Sequence, residues 1–138
     1  MLASAPVEPA DALADLTEIS SEIETAALFD PTGAVAASVG SDGDRLAQKA
    51  LELLVAASSV RPGVTLTRAE ARLRDGSLFV VRDGERLIAA TTRPEPASGL
   101  VLYDLRTALE RSESVPEPPK PRRRRTAKAE TEGGDGAA

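Results

Sequence analysis

Residues 44–60 read DRLAQKALELLVAASSV, and the way this stretch is buried decides the fold. On a helical wheel at about 100° per residue, Arg45, Gln48, Lys49, Glu52, Ala56 and Ser59 gather on one polar strip. Leu46, Ala47, Ala50, Leu51, Leu53, Leu54, Val55, Ala57 and Val60 cover the other side, an arc of roughly 220° broken only by Ser58, against the stripe of about 100° that a surface helix needs. This helix therefore asks for two contact surfaces. One is a sheet of its own chain, and the excess must be covered by the rest of the chain, by a second copy or by another protein.

On either side of the helix the chain alternates between turn signals and short apolar runs. Pro9 opens a short N-terminal helix with acids in its first turn, where both are favourable, and Leu13 and Leu16 mark its apolar stripe. Glu22–Phe29 (EIETAALF) reads as a strand that becomes apolar on both faces. Asp30-Pro31-Thr32-Gly33 is a turn, Ala34–Val39 returns as its partner strand, and Ser41, Asp42 or Asp44 can cap the long helix. A third strand is expected over Val64–Leu73. Its alternation has a flaw, because Val64 and Leu66 are out of phase with Ala69, Ala71 and Leu73, and a bulge near Thr67-Arg68 would reconcile them. Asp75-Gly76 and Asp83-Gly84 punctuate a meander whose strands Leu78–Val81 and Leu87–Ala90 are apolar on both faces, as central strands covered on both sides must be. Ser98 is placed to cap a last helix over Leu100–Arg111.

Composition excludes several chemistries. The chain has 138 residues with no cysteine, no histidine and no tryptophan, two Phe and one Tyr. Disulfides, zinc–thiolate sites, a thiol nucleophile and a histidine base are ruled out. The core must be built from Ala, Val and Leu by close approach of elements. Nine acids precede the first positive charge, Arg45, and the formal net charge is −5. Residues 114–138 hold six basic and four acidic residues, a net of +2, so the remaining body carries −7. An acidic body argues against a nucleic-acid-binding domain. The N-terminus has neither a secretory signal nor an apolar span, so a cytoplasmic protein is expected. The expected organisation is a flexible segment over residues 1–8, one domain over residues 9–113 and a disordered Pro/Arg-rich tail over residues 114–138.

No catalytic constellation stands out. GxxxxGK[ST] is absent, which speaks against a P-loop nucleotide hydrolase. Asp42-Gly43-Asp44 lacks the distal ligands of a calcium loop and is better read as a helix cap. Glu22 and Glu24 share a strand side but have no companion base. Arg68, Arg72, Arg74 and Arg82 lie on or near turns, and nothing singles one out as a residue to insert into a partner's active site. In the tail, Arg122, Arg123, Arg124 and Arg125 offer weak, salt-sensitive contact to nucleic acid or anionic lipid. Pro118-Pro119-Lys120-Pro121-Arg122 has the form of a polyproline ligand.

The segments AALFDPTGAVAASVG (26–40), LFVVRDGERLIAATT (78–92) and SGLVLYDLRTALER (98–111), set around the long helix, resemble the roadblock/dynein light chain family over Pro9–Ser112. The resemblance implies an α+β fold: a five-stranded antiparallel sheet with one long helix on one face and two shorter helices on the other. It also implies a homodimer formed through the long helix and the third strand, and a non-catalytic partner of a small Ras-like GTPase without a cofactor. The surface so implied takes in Leu46, Ala47, Ala50, Leu51, Leu54, Val55 and Ser58 of the helix with Ala69 and Ala71 of the strand. A dimeric adaptor tethered to nucleic acid or anionic membrane through the tail is the alternative. A small-molecule sensor is a third reading, disfavoured by the shortage of aromatic residues.

Overall fold

The structure, a computed structural model, describes residues 7–40 and 42–113. In chain order the elements are α1 (Pro9–Ile19), β1 (Ile23–Phe29), β2 (Val35–Val39), α2 (Gly43–Ser58), β3 (Arg68–Leu73), β4 (Gly76–Asp83), β5 (Arg86–Thr92) and α3 (Ser98–Glu113). The strands form one antiparallel sheet in the order β2-β1-β5-β4-β3. The architecture is thus the expected one, with α2 on one face and α1 and α3 on the other.

The doubly apolar strands explain this layering. On the face toward α1 and α3, Ala26, Leu28, Phe79, Val81, Ile88 and Ala90 pack with Leu13, Leu16, Val101, Leu105 and Leu109. On the opposite face Ala27, Phe29, Val80, Leu87 and Ala89 pack with Leu46, Ala47, Ala50 and Leu54 of α2. Cross-strand register aligns Ser38, Ala27, Ala89, Val80 and Ala69 in one row beneath α2. Because that row is made of small side chains, the helix settles close to the sheet. Gly43 marks the tightest point, where an added Cβ would stand 2.5 Å from Ser38 Cβ. Ala47 and Ala50 are wholly buried there. Dispersion contacts are gained in proportion to such closeness, which is how a core nearly free of aromatic residues reaches ordinary packing.

Local chemistry sets the boundaries. Asp30 forms an Asx turn, its Oδ1 accepting from Thr32 Oγ1 at 2.6 Å and from Thr32 N at 2.8 Å, and these bonds hold its carboxyl below the usual carboxylate range. Asp42 is the N-cap of α2, accepting from Arg45 N at 3.2 Å with φ of 59°. The helix ends at Ser58, two residues before the Val60 that the apolar arc suggested, and Val60 is exposed. The third strand begins only at Arg68, so Val64–Thr67 lies outside it and the phase conflict disappears without a bulge. The first meander turn also shifts by one residue, with Arg74 and Asp75 as its loop and Gly76 opening β4. A side chain at Gly76 would place Cβ 2.0 Å from Thr92 O, so glycine serves close approach there. Ser98 does not act as the expected flanking cap. It is the first residue of α3, and its hydroxyl lies between Glu70 Oε2 (2.8 Å) and Arg72 Nη2 (2.9 Å) of β3. Glu22, just before β1, accepts from Ala97 N at 3.1 Å.

Two polar clips hold α3, one to β5 and one to α1. Arg86 donates to Leu109 O and to Ser112 Oγ at the last turn of α3, and Arg111 pairs with Asp15 of α1 at 3.0 Å. Between these helices Asp104 is buried beside Ser20, the residue that ends α1. Burial raises its pKa, opposed by the hydrogen bond with Ser20. A carboxyl whose folded pKa is raised contributes stability below its unfolded pKa of about 3.9 and loses it as pH climbs through the folded value. Asp104→Asn cannot ionise. It is therefore expected to melt above the wild type at pH 7 and to lose that advantage toward pH 4, measured by thermal unfolding across pH. A pH-independent difference between the two proteins would show that Asp104 ionisation carries no cost.

Candidate functional site

The sheet has two edges, β2 and β3, and they differ in construction. In β2 the register with β1 slips between Leu28 and Phe29, leaving Ala36 as an extra residue. Such irregularity interrupts the row of backbone groups that another strand would need. β3 pairs with β4 without a slip from Arg68 to Leu73, so its outer edge is regular. Its side chains divide cleanly. Ala69, Ala71 and Leu73 lie on the α2 face, whereas Arg68, Glu70 and Arg72 lie on the face toward α3.

The structure sorts the residues singled out in the sequence into two groups. Leu46, Ala47, Ala50 and Leu54 are buried against the chain's own sheet and do not face outward. The sheet takes the central part of the wide apolar arc, because the small-residue row admits that part most closely. The shoulders of the arc remain outside. Leu51 and Ser58 are half-buried, and Val55 is 70% exposed. Beside them run two shallow grooves that share Leu51 and Val55, one toward Thr32 and Gly33, the other toward Pro31, Val64 and Leu66. Ala69 and Ala71 are half-buried on the open edge. Arg122–Arg125 and the rest of the tail lie outside the described residues, as does Ser41.

Sequence reasoning passed over Leu73 and Leu53 as surface residues. Leu73 is 67% exposed and continues the phase of Ala69 and Ala71, a signal visible in the alternation itself. Leu53, half-buried, packs at the rim of the α2 core with Leu66, Ala69 and Leu78. The regular β3 edge, with Ala69, Ala71 and Leu73 on its α2 side, is an open apolar margin, and the Leu51–Val55 shoulder of α2 lies toward Pro31–Gly33 and Val64–Leu66. Such a margin suits main-chain pairing with packing beside it. Among the described residues no three His, Cys, Asp or Glu side chains are grouped to hold a metal, and no helix is long and apolar enough to cross a membrane. Of the acids named in the sequence, Asp42 caps α2 and Glu22 accepts from Ala97 N.

No family model and no curated protein sequence matches this chain. Solved structures do match. A roadblock/LC7 domain from Streptomyces avermitilis superposes with a TM-score of 0.66 at 18% identity, over 75% of this chain and 93% of that one. The fold is of the roadblock/LC7 type. The gliding protein MglB from Thermus thermophilus superposes with a TM-score of 0.65 at 18% identity, over 81% of this chain and 91% of its own. An MglB structure described as having a tetrameric arrangement matches with a TM-score of 0.64 at 16% identity, over 81% and 94%. The roadblock-type fold accounts for nearly the whole described body.

Neighbouring residues of α2 should therefore respond in opposite ways to the same charge. Leu54→Glu buries a carboxylate in the core and is expected to cost several kcal/mol, enough to unfold a small domain. Val55→Glu is expected to change stability by no more than about 0.5 kcal/mol. Urea unfolding of both variants checks this, and equal losses would mean that Val55 is also covered within the chain.

Proposed function

We propose that the protein is a non-catalytic, self-associating regulator or scaffold of a small Ras-like GTPase, acting in the cytoplasm. Its one observation of most weight is the regular, unpaired β3 edge, with Ala69, Ala71 and Leu73 on the same sheet face as α2 and its exposed Val55, on a roadblock-type fold. Two copies joined through β3 would continue the sheet and bring both α2 helices to one face. Apolar burial of the shoulders, at about 25 cal/mol per Å², would then add to the main-chain pairing. The tetrameric arrangement of an MglB with this fold supports self-association as a property to expect here. The family resemblance of the sequence supports the GTPase as partner. On this reading the chain brings no nucleotide chemistry of its own and contributes surface alone.

The assignment makes the pair of copies, not the single chain, the binding unit. A body of this size presents a large continuous surface only when doubled, and stable protein interfaces bury about 1,200–2,000 Å² in total. The wild type is expected to sediment as a dimer at micromolar concentration and to bind one of the cell's small Ras-like GTPases differently in its two nucleotide states. Val55→Glu combined with Leu73→Glu is expected to give a folded monomer that loses at least tenfold in GTPase affinity. Replacing Arg122–Arg125 by Gln should leave both properties unchanged. A folded monomer that binds the GTPase as well as the wild type would remove the composite surface, and loss of the partner in the tail variant alone would favour the tethered adaptor.

A further inference from the structure

Among the described residues α1 is the helix without a basic side chain, whereas α2 carries Arg45 and Lys49, and α3 carries Arg106 and Arg111. Its carboxylates are Glu8 at the N-cap, then Asp11, Asp15 and Glu18. Steps of three, four and three residues line them along one face of the helix. Asp15 pairs with Arg111 of α3 at 3.0 Å. Glu8, Asp11 and Glu18 are exposed and have no side-chain hydrogen bond or ion pair among the described residues, Glu8 making no capping bond either. Helix electrostatics favours Glu8 and Asp11, at the positive end of the dipole. Glu18 lies in the last turn, where a negative charge opposes the dipole and no basic residue offsets it.

We propose that this face of α1 is the docking surface for the chain's own arginine run, Arg122–Arg125, and that docking withholds the run from external polyanions. It goes beyond the GTPase-regulator reading and does not depend on it. Three observations carry it. First, α3 delivers the run to this face. The two helices are antiparallel, since Asp104 of α3 lies beside Ser20 at the end of α1, while Arg111, in the last turn of α3, pairs with Asp15. The chain therefore leaves α3 at Glu113 alongside the first turns of α1. From position 113 to position 122 the chain spans up to about 30 Å, and the carboxylates from Glu8 to Glu18 extend over about 15 Å.

Second, an arginine already sits on this stripe. The Arg111 guanidinium on Asp15 is the same group that the tail presents four times in succession. Third, the charges are complementary. Residues 118–128 hold six basic residues and no acid, on a chain whose formal net charge is −5. Exposed ion pairs are individually weak, at about 0–1 kcal/mol. A short tether offsets this, because it presents the run to the stripe at an effective concentration in roughly the millimolar range. A basic segment of another protein would meet the same carboxylates without that tether.

The chain has no cysteine, so Thr126→Cys carries a single nitroxide beside the run. Amide line broadening in the full chain at low salt is expected on Asp11–Glu18 and not around Val55 of α2, and it should vanish at about 0.5 M NaCl, where charges are screened within a few ångströms. Glu8→Gln with Asp11→Asn and Glu18→Gln, all at exposed side chains, should abolish the broadening. The same triple variant without the nitroxide should bind an oligothymidylate of about 20 nucleotides at least about fivefold more tightly, because the run is released. Asp44→Asn with Glu52→Gln and Glu85→Gln removes the same charge elsewhere on the surface and should do neither. Broadening that is absent, uniform over the body or retained in the α1 variant would overturn the proposal. So would equal effects of the two triple variants on broadening or on oligonucleotide affinity. Broadening of full strength when the nitroxide and the observed amides are on different copies would also overturn it, by placing the run on another molecule.

Discussion

The close seating of α2 on the sheet is the contact on which the rest of the structure depends. The chain has almost no large side chains with which to fill space, so its core works only if the elements approach closely. The row of Ser38, Ala27, Ala89, Val80 and Ala69 makes that approach sterically open, and Gly43, Ala47 and Ala50 occupy it from above. Close packing of small groups recovers through many short contacts what a Phe or Trp supplies in one. Overfilling this layer is costly for the same reason, since a trough of alanines has no room to yield. The opposite face is less constrained. There Phe79, Ile88, Leu13 and Leu105 provide volume, and two helices divide the surface between them.

Seating the helix this closely also determines what is left over. A helix with an apolar arc of more than 180° cannot bury all of it on one sheet, so Val55 stays outside and Leu51 only half enters. At the sheet margin β3 faces two ways, apolar with α2 and charged with α3. The apolar side gives the open edge its adhesive character. The charged side meets α3 near the start of that helix, where the Ser98 hydroxyl lies between Glu70 and Arg72. One strand therefore has two surfaces of different chemistry, and neither is needed to complete the core.

Much of this was legible in the sequence. The doubly apolar runs AALF and LFVV announced central strands, and the turns around Gly33 and Gly84 placed the hairpins, because these signals depend on residues within a few positions of one another. The wheel of α2 revealed an excess of apolar surface but could not say which part the sheet would claim. That choice depends on the cross-strand row of small residues, which comes from four strands distant in sequence. The wheel groups Leu46 and Leu54 with Val55, and the fold separates them. Val64 and Leu66 extend the apparent strand toward its start, but Leu66 packs on the rim of the α2 core from outside the sheet and Val64 is exposed.

Backbone hydrogen exchange along the two sheet edges, followed as a function of protein concentration, tests most directly whether β3 is the edge at which copies join. Amide protection in Ala69–Leu73 is expected to rise as concentration passes through the association range. Protection in Val35–Val39, on the slipped edge, is expected to stay constant. Concentration-dependent protection confined to β2, or none at either edge while the protein sediments as a dimer, would contradict the account.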